Sequence, residues 1–155
     1  MNADLSEVER RTVSISQYME GLKEPFRGKF FTAKHEYRLK EDTIEKLKKA
    51  AVGHFIVVFT AEWCKDCWTV IAALALISES TGLQVRVFGG LKKDALGYAF
   101  KWRIPPSPPE VNSFGVDKIP LVLIFNKTGV QVGRIVEKPK HLPTLEEELS
   151  EIMRN

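Results

Sequence analysis

Phe55-Ile56-Val57-Val58-Phe59, with Cys64-Lys65-Asp66-Cys67 close behind it and Trp68 to Ile77 after that, is the stretch that decides the fold. The first run is continuously apolar and rich in β-branched and aromatic side chains, which suits a strand buried on both faces of a sheet. The last is apolar nearly all round and long enough to be a buried helix rather than a second strand. Ser78, Ser80, Thr81 and Gly82 supply its stop, with Gly82 as a left-handed cap. The chain's only two cysteines therefore fall where a strand gives way to a helix, Cys64 at the helix N-terminus and Cys67 one turn inside it.

That placement has chemical content. Unpaired backbone N–H groups and the positive end of the helix dipole favour a thiolate over a thiol, which is the condition for attack on a disulfide. Three-residue spacing on a helical turn keeps the second sulfur within bonding reach of the first. Cys64 reads as the nucleophile and Cys67 as the resolving thiol, which releases a mixed disulfide by closing an intramolecular one. Two blander readings compete. Half a zinc site would want a second Cys-x-x-Cys or paired histidines, and His35, His54 and His141 are scattered singly. Two inert core thiols would be oddly stored at a strand end.

Further along, Asp117-Lys118-Ile119-Pro120 leads into a second buried-strand run, Leu121-Val122-Leu123-Ile124-Phe125. Proline is tolerated at a strand start because it lacks only a ladder donor. Here the chain resembles the thioredoxin superfamily: in Ala61-Glu62-Trp63-Cys64-x-x-Cys67, in Phe114-Gly115-Val116-x-x-Ile119-Pro120, and in the Thr128-Gly129 hairpin that follows. The resemblance spans about residues 42 to 155, the conjunction being more specific than a lone Cys-x-x-Cys. It implies that Pro120 is cis and faces the sulfurs, and that the backbone of Ile119 pairs with a substrate strand. It also marks departures. Lys65-Asp66 stands where thioredoxins proper carry Gly-Pro; the cation should favour the Cys64 thiolate and the anion oppose it, so their net effect stays open. Val58 replaces the family's buried carboxylate, thought to assist deprotonation of the resolving cysteine. Glu62 and Asp66 are the carboxylates near enough in sequence to substitute, unless both are solvated surface charges. No proline interrupts the helix after the cysteines, so a straight helix is expected.

At 155 residues with 44% hydrophobic content, the chain can bury one good core. Two cysteines are too few for a disulfide-stapled secreted domain, and their spacing fits a reducing compartment. Residues 1–10 carry acid and polarity where a secretory signal would need an apolar core, and no run approaches a membrane span, so a cytoplasmic location is expected. A net charge of +3 from 23 basic and 20 acidic groups does not by itself promise nucleic-acid binding.

Ser6-x-x-Glu9 reads as a capping box before a helix over 6–22, and Asp42-x-x-Glu45 opens a second helix ending at Gly53. The alternation continues as strand 54–60, helix 64–80, strand 83–89, helix 93–102, a short helix near 109–114, strand 121–126, a hairpin at Asn126 to Gly129, strand 130–136 and helix 143–153. The fold expected is α/β, a thioredoxin-like mixed central sheet with helices on both faces. Residues 1–41 form an N-terminal helical extension packed on a domain over 42–155.

Three other features carry alternatives. Ile104-Pro105-Pro106-Ser107-Pro108-Pro109 favours polyproline II and contains Pro-x-x-Pro, so it can be written as an SH3-type ligand; a stiff wall near the sulfurs is the plainer reading. Residues 23–40 interleave Lys23, Arg27, Lys29, Lys34, Arg38 and Lys40 with Phe26, Phe30, Phe31 and Tyr37. That pattern can serve single-stranded nucleic acid, but Glu24 and Glu36 dilute the charge and the rings can equally anchor the extension. Gly89-Gly90-Leu91-Lys92-Lys93 lacks the rest of a phosphate loop and reads as a turn. His54 and His141 have no place beside the cysteines; Trp63 should shield one side of Cys64, Trp68 reads as core, and Trp102 carries no functional signal.

The expected function is a thiol-disulfide oxidoreductase that reduces cytosolic protein disulfides. Cys64 and Cys67 do the chemistry, and Trp63, Lys65, Asp66, Ile119 and Pro120 contact the substrate. No cofactor and no metal are required, because the electrons reside on the two sulfurs. The partners expected are protein disulfides and an electron-donor reductase, without nucleic acid or membrane, to a monomeric protein. The alternative is a non-catalytic binding module on the same fold, or a redox sensor.

Overall fold

The computed structural model describes residues 1–93 and 107–154. Their elements, in chain order, are α1 (Leu5–Arg11), β1 (Val13–Ser14), α2 (Ile15–Gly21), α3 (Phe26–Glu36), α4 (Glu41–Ala51), β2 (His54–Phe59), α5 (Lys65–Thr81), β3 (Gln84–Phe88), α6 (Glu110–Ser113), β4 (Leu121–Asn126), β5 (Gln131–Val136) and α7 (Leu145–Ile152). The helix expected at 93–102, Trp102 and the first two prolines of the 104–109 loop lie outside the described residues for all but Lys93.

The strand order is β1-β3-β2-β4-β5. β2 runs parallel to β3 and antiparallel to β4, and β4 runs antiparallel to β5, giving the mixed sheet the pattern implies. Phe55 to Phe59 are all buried because β2 is central and covered on both faces. Phe55 stacks on Phe125 across the β2–β4 ladder, their centroids 5.2 Å apart, and Phe59 on Phe88 across β2–β3 at 4.7 Å. α5 is apolar almost all round because α2, α3, α4 and α7 all pack against it. It is continuous to Thr81 and stops at Gly82, whose φ of 78° is the left-handed cap that the sequence signals.

The N-terminal region differs from expectation. One helix over 6–22 is instead two, broken at Thr12-Val13-Ser14. Thr12 turns its hydroxyl onto the Val8 carbonyl at 2.6 Å, and Val13 and Ser14 pair antiparallel with Val87 and Arg86. Ser14 then opens α2 in a reciprocal capping box with Gln17. Asp4, not Ser6, caps α1, its Oδ1 accepting from the Ser6 N–H at 2.9 Å. The physical reason is local: β-branched Thr12 and Val13 and short polar Ser14 are weak helix formers. The unpaired edge of β3 offers them ladder bonds instead, and Arg86 secures the break by donating to the Thr12 hydroxyl and carbonyl at 2.9 and 3.0 Å.

Residues 23–40 contain α3, which periodicity alone does not announce. Phe30 is fully buried on α5's side of the molecule, with Phe26, Phe31 and Tyr37 partly buried against the same core. The cations go elsewhere: Arg27 lies over the Phe31 ring at 4.8 Å and Lys29 over Trp68 at 5.7 Å. α4 starts one residue ahead of Asp42, with Glu41 and Asp42 in its first turn at the positive end of its dipole.

Two carboxylates on α7 are buried. Glu146 accepts from the Tyr37 hydroxyl at 2.5 Å and the Lys40 N–H at 2.8 Å, tying the end of α3 to α7. Glu148 Oε1 accepts from the backbone N–H groups of Lys140, His141 and Leu142 at 2.9, 2.7 and 3.2 Å. The first residues of the chain meet the β4–β5 hairpin: Ala3 N–H donates to Gly129 O at 2.7 Å and Gln131 N–H to Met1 O at 2.9 Å. Gly129 has a φ of 86°, and a Cβ there would lie 1.9 Å from the Ala3 carbonyl oxygen, so both the turn and this contact need glycine.

Candidate redox site at the end of the central strand

β2 delivers the chain to Thr60-Ala61, and a turn closed by the Cys64 N–H on Ala61 O at 3.4 Å brings Cys64 to the N-cap of α5. Cys67 N–H and Trp68 N–H both point back at the Cys64 carbonyl, at 3.1 and 3.3 Å, so the helix begins between the cysteines. Both are free thiols; Cys64 is half-buried and Cys67 fully buried.

Their proton affinities diverge. The Cys64 thiol is lowered to about 7, chiefly because the Cys67 thiol hydrogen-bonds its sulfur, with help from the Cys67 and Asp66 backbone N–H groups at the helix start. Partial burial and the Asp66 carboxylate oppose this, and the Lys65 charge is not among the leading contributors. The Cys67 thiol is pushed far above the ordinary thiol range, first by burial and then because its proton serves Cys64. Thr60 and the Ala61 backbone pull it partly back. At neutral pH the pair thus presents one accessible sulfur that is substantially thiolate and one sealed sulfur that is a thiol.

Opposite the pair, the Ile119–Pro120 bond is cis, and the Ile119 carbonyl oxygen stands 3.9 Å from Cys64 Sγ. The ladder resumes at once, with Glu137 N–H donating to Pro120 O at 2.8 Å. Trp63 is 46% exposed and fixed by its indole N–H on Leu91 O at 3.1 Å. Trp68, only partly buried, donates its indole N–H to Glu62 O at 2.8 Å. Lys65, Asp66 and Glu62 are exposed, so neither carboxylate reaches the interior, and Val58 is fully buried and apolar. Asp66 borders a groove of about 340 Å³ that also involves Thr69, Glu137 and Pro139.

His54 lies at the far end of β2, its Nδ1 2.7 Å from Ala50 O, and borders a cleft of about 880 Å³ that contains neither cysteine. His141 contributes its backbone N–H to Glu148. Among the described residues no cluster of three His, Cys, Asp or Glu side chains is placed to hold a metal ion, and no helix is long and apolar enough to cross a membrane. Two side chains that sequence reading passes over stand behind Cys67: Thr60 and Tyr18. The signal for Thr60 is a single hydroxyl closing an apolar strand run; nothing in the sequence brings Tyr18 to it.

Comparison with known proteins places the fold. Among solved structures, a Pseudomonas aeruginosa protein of unknown function is similar at 18% identity, with a TM-score of 0.67 over 90% of this chain and 80% of its own. An HIV epitope-scaffold is similar at 16% identity, TM-score 0.67, over 98% of this chain and 94% of its own. A DsbH oxidoreductase is more distant, at 13% identity and TM-score 0.45 over 77% and 84%. No curated protein matches the chain. A thioredoxin family model matches residues 12–150, from the edge strand through to α7. With the Cys-x-x-Cys pair at the start of α5 and the cis proline opposite, the chain belongs to the thioredoxin family.

Proposed function

We propose that this protein is a thiol-disulfide oxidoreductase that reduces protein disulfides in a reducing, cytoplasmic setting. The observation that carries the reading is the pairing of a half-exposed Cys64, its thiol near 7, with a sealed Cys67 that donates to it. The Cys64 thiolate attacks one sulfur of a substrate disulfide, forming a mixed disulfide and expelling the other as a thiolate that takes up a proton. Cys67 then attacks Cys64 Sγ. The Cys64–Cys67 disulfide forms, the second substrate sulfur leaves and takes the Cys67 proton, and an external reductase returns the two electrons. Ile119 offers its backbone and Pro120 its ring to the visiting chain; Trp63, Lys65 and Asp66 form the rim it meets.

Trapping tests this. A Cys67→Ser variant exposed to oxidised partner proteins should accumulate mixed disulfides through Cys64, read by mass spectrometry. In an insulin-reduction assay with dithiothreitol, the wild type should exceed the reagent blank and Cys64→Ser should not. A wild-type rate equal to the blank would favour the non-catalytic binding module.

A further inference from the structure

The resolving step asks a fully buried sulfur to take on negative charge, in surroundings that hold its proton firmly. No buried carboxylate among the described residues is free to help: the two on α7 are engaged with Tyr37, Lys40 and residues 140–142. What stands behind Cys67 is a row of two hydroxyls. Thr60 is fully buried, its backbone N–H fixed on Phe88 O at 3.0 Å. Tyr18 comes from α2, edge-on to Phe30 at 5.9 Å and passing over Gly89, where a Cβ would come within 2.5 Å of its ring. Both hydroxyl oxygens are sealed from solvent, and neither has a hydrogen-bond partner. Two orphaned hydroxyls side by side are unusual in a folded interior. Thr60 bears on the proton affinity of both Cys67 and Tyr18, and Cys67 on that of Tyr18, which gives the order Cys67, Thr60, Tyr18.

We infer that Thr60 and Tyr18 form a hydroxyl pair that completes its hydrogen bonds only when Cys67 becomes a thiolate, and so assists the resolving attack. Resting on the oxidoreductase reading, this deepens its second step. As the Cys67 proton departs, finally to the leaving substrate sulfur, the Thr60 O–H rotates to donate to Cys67 Sγ. Tyr18 O–H donates in turn to Thr60 Oγ1. A hydroxyl both donates and accepts, so the row can be satisfied in one direction. Neither residue is the proton's destination; burial keeps Tyr18 protonated and therefore a donor. Thr60 acts on the sulfur directly, and Tyr18 is a positioning residue acting through Thr60. When Cys67 joins Cys64 in a disulfide the charge is gone and the pair is released.

Stopped-flow reaction of the reduced full-length protein with 5,5′-dithiobis(2-nitrobenzoate) separates the steps. The first release of 2-nitro-5-thiobenzoate reports Cys64 and scales with reagent concentration; the second reports Cys67 and does not. Thr60→Val should leave the first phase within about twofold and slow the second about tenfold, since a charge-assisted hydrogen bond is lost from the resolving step alone. Thr60→Ser should restore most of the second-phase rate, and Tyr18→Phe should slow it about threefold. An unchanged second phase in Thr60→Val, equal slowing of both phases, or failure of Thr60→Ser to restore it would overturn the inference. If Thr60→Val does not fold, an unchanged second phase in Tyr18→Phe overturns it equally. A wild type with no first phase would sink the oxidoreductase reading itself, whereas a normal first phase with unaltered variants would sink only the hydroxyl pair.

Discussion

Among the described residues, α7 and the end of β2 bury polar side chains in opposite ways. On α7, Glu148 receives three backbone donors and Glu146 a phenol and an amide, so each carboxylate is met by donors in the folded chain. Behind Cys67, Thr60 and Tyr18 bury hydroxyls that meet none. The first arrangement is complete and holds the fold together: it clips the 140–142 loop and the end of α3 to the last helix. The second is incomplete in the resting state, and an incomplete buried group is a cost of about 1–3 kcal/mol that folding alone has no reason to keep. Saturated burial marks architecture here, and unsaturated burial marks a group waiting for a charge.

The contrast can be broken by substitution. Glu148→Ala strands three backbone N–H groups and should cost about 3 kcal/mol in urea denaturation, while Cys64 alkylation rates stay at the wild-type value; an altered thiol would mean the clasp is part of the site. Gly89→Ala drives a methyl into the Tyr18 ring and should cost about 2 kcal/mol by overpacking, with the resolving phase slowed in the same protein. If stability falls and that phase does not, the position of Tyr18 is irrelevant to the chemistry. Thr60→Val should raise stability by about 1 kcal/mol or more, because an unpaired buried hydroxyl is exchanged for a methyl of like shape; a loss rivalling that of Glu148→Ala would erase the distinction. On the exposed side, iodoacetamide alkylation of Cys64 should titrate with a midpoint about 7. Asp66 opposes the thiolate, so Asp66→Asn should move that midpoint down and speed alkylation at pH 6 by about twofold, a surface effect that added salt weakens.

The centre of the fold was legible because short-range pattern and burial agree there. Phe55 to Phe59 read as a central strand, Trp68 to Ile77 as a wrapped helix, and Gly82 as its cap, each from residues that need no distant partner to be interpreted. The start of the chain was not. Thr12-Val13-Ser14 breaks a helix only because the edge of β3 lies beside it, and Phe30 sits in the core only because α3 meets α5; both depend on neighbours remote in the sequence. The site divides the same way. The two cysteines and Pro120 announce themselves by local motif, whereas Tyr18 reaches Thr60 only after that unforeseen break has turned α2 across the end of β3.

The opening residues have one more effect. By lying against the β4–β5 hairpin at Met1 to Ala3 and against β3 at Val13 and Ser14, they stitch both rims of the sheet with a single strap. An open rim is where a foreign strand can dock and propagate. With each rim partly occupied by the protein's own N-terminal segment, unfastening the strap should invite self-association before it harms the sulfurs.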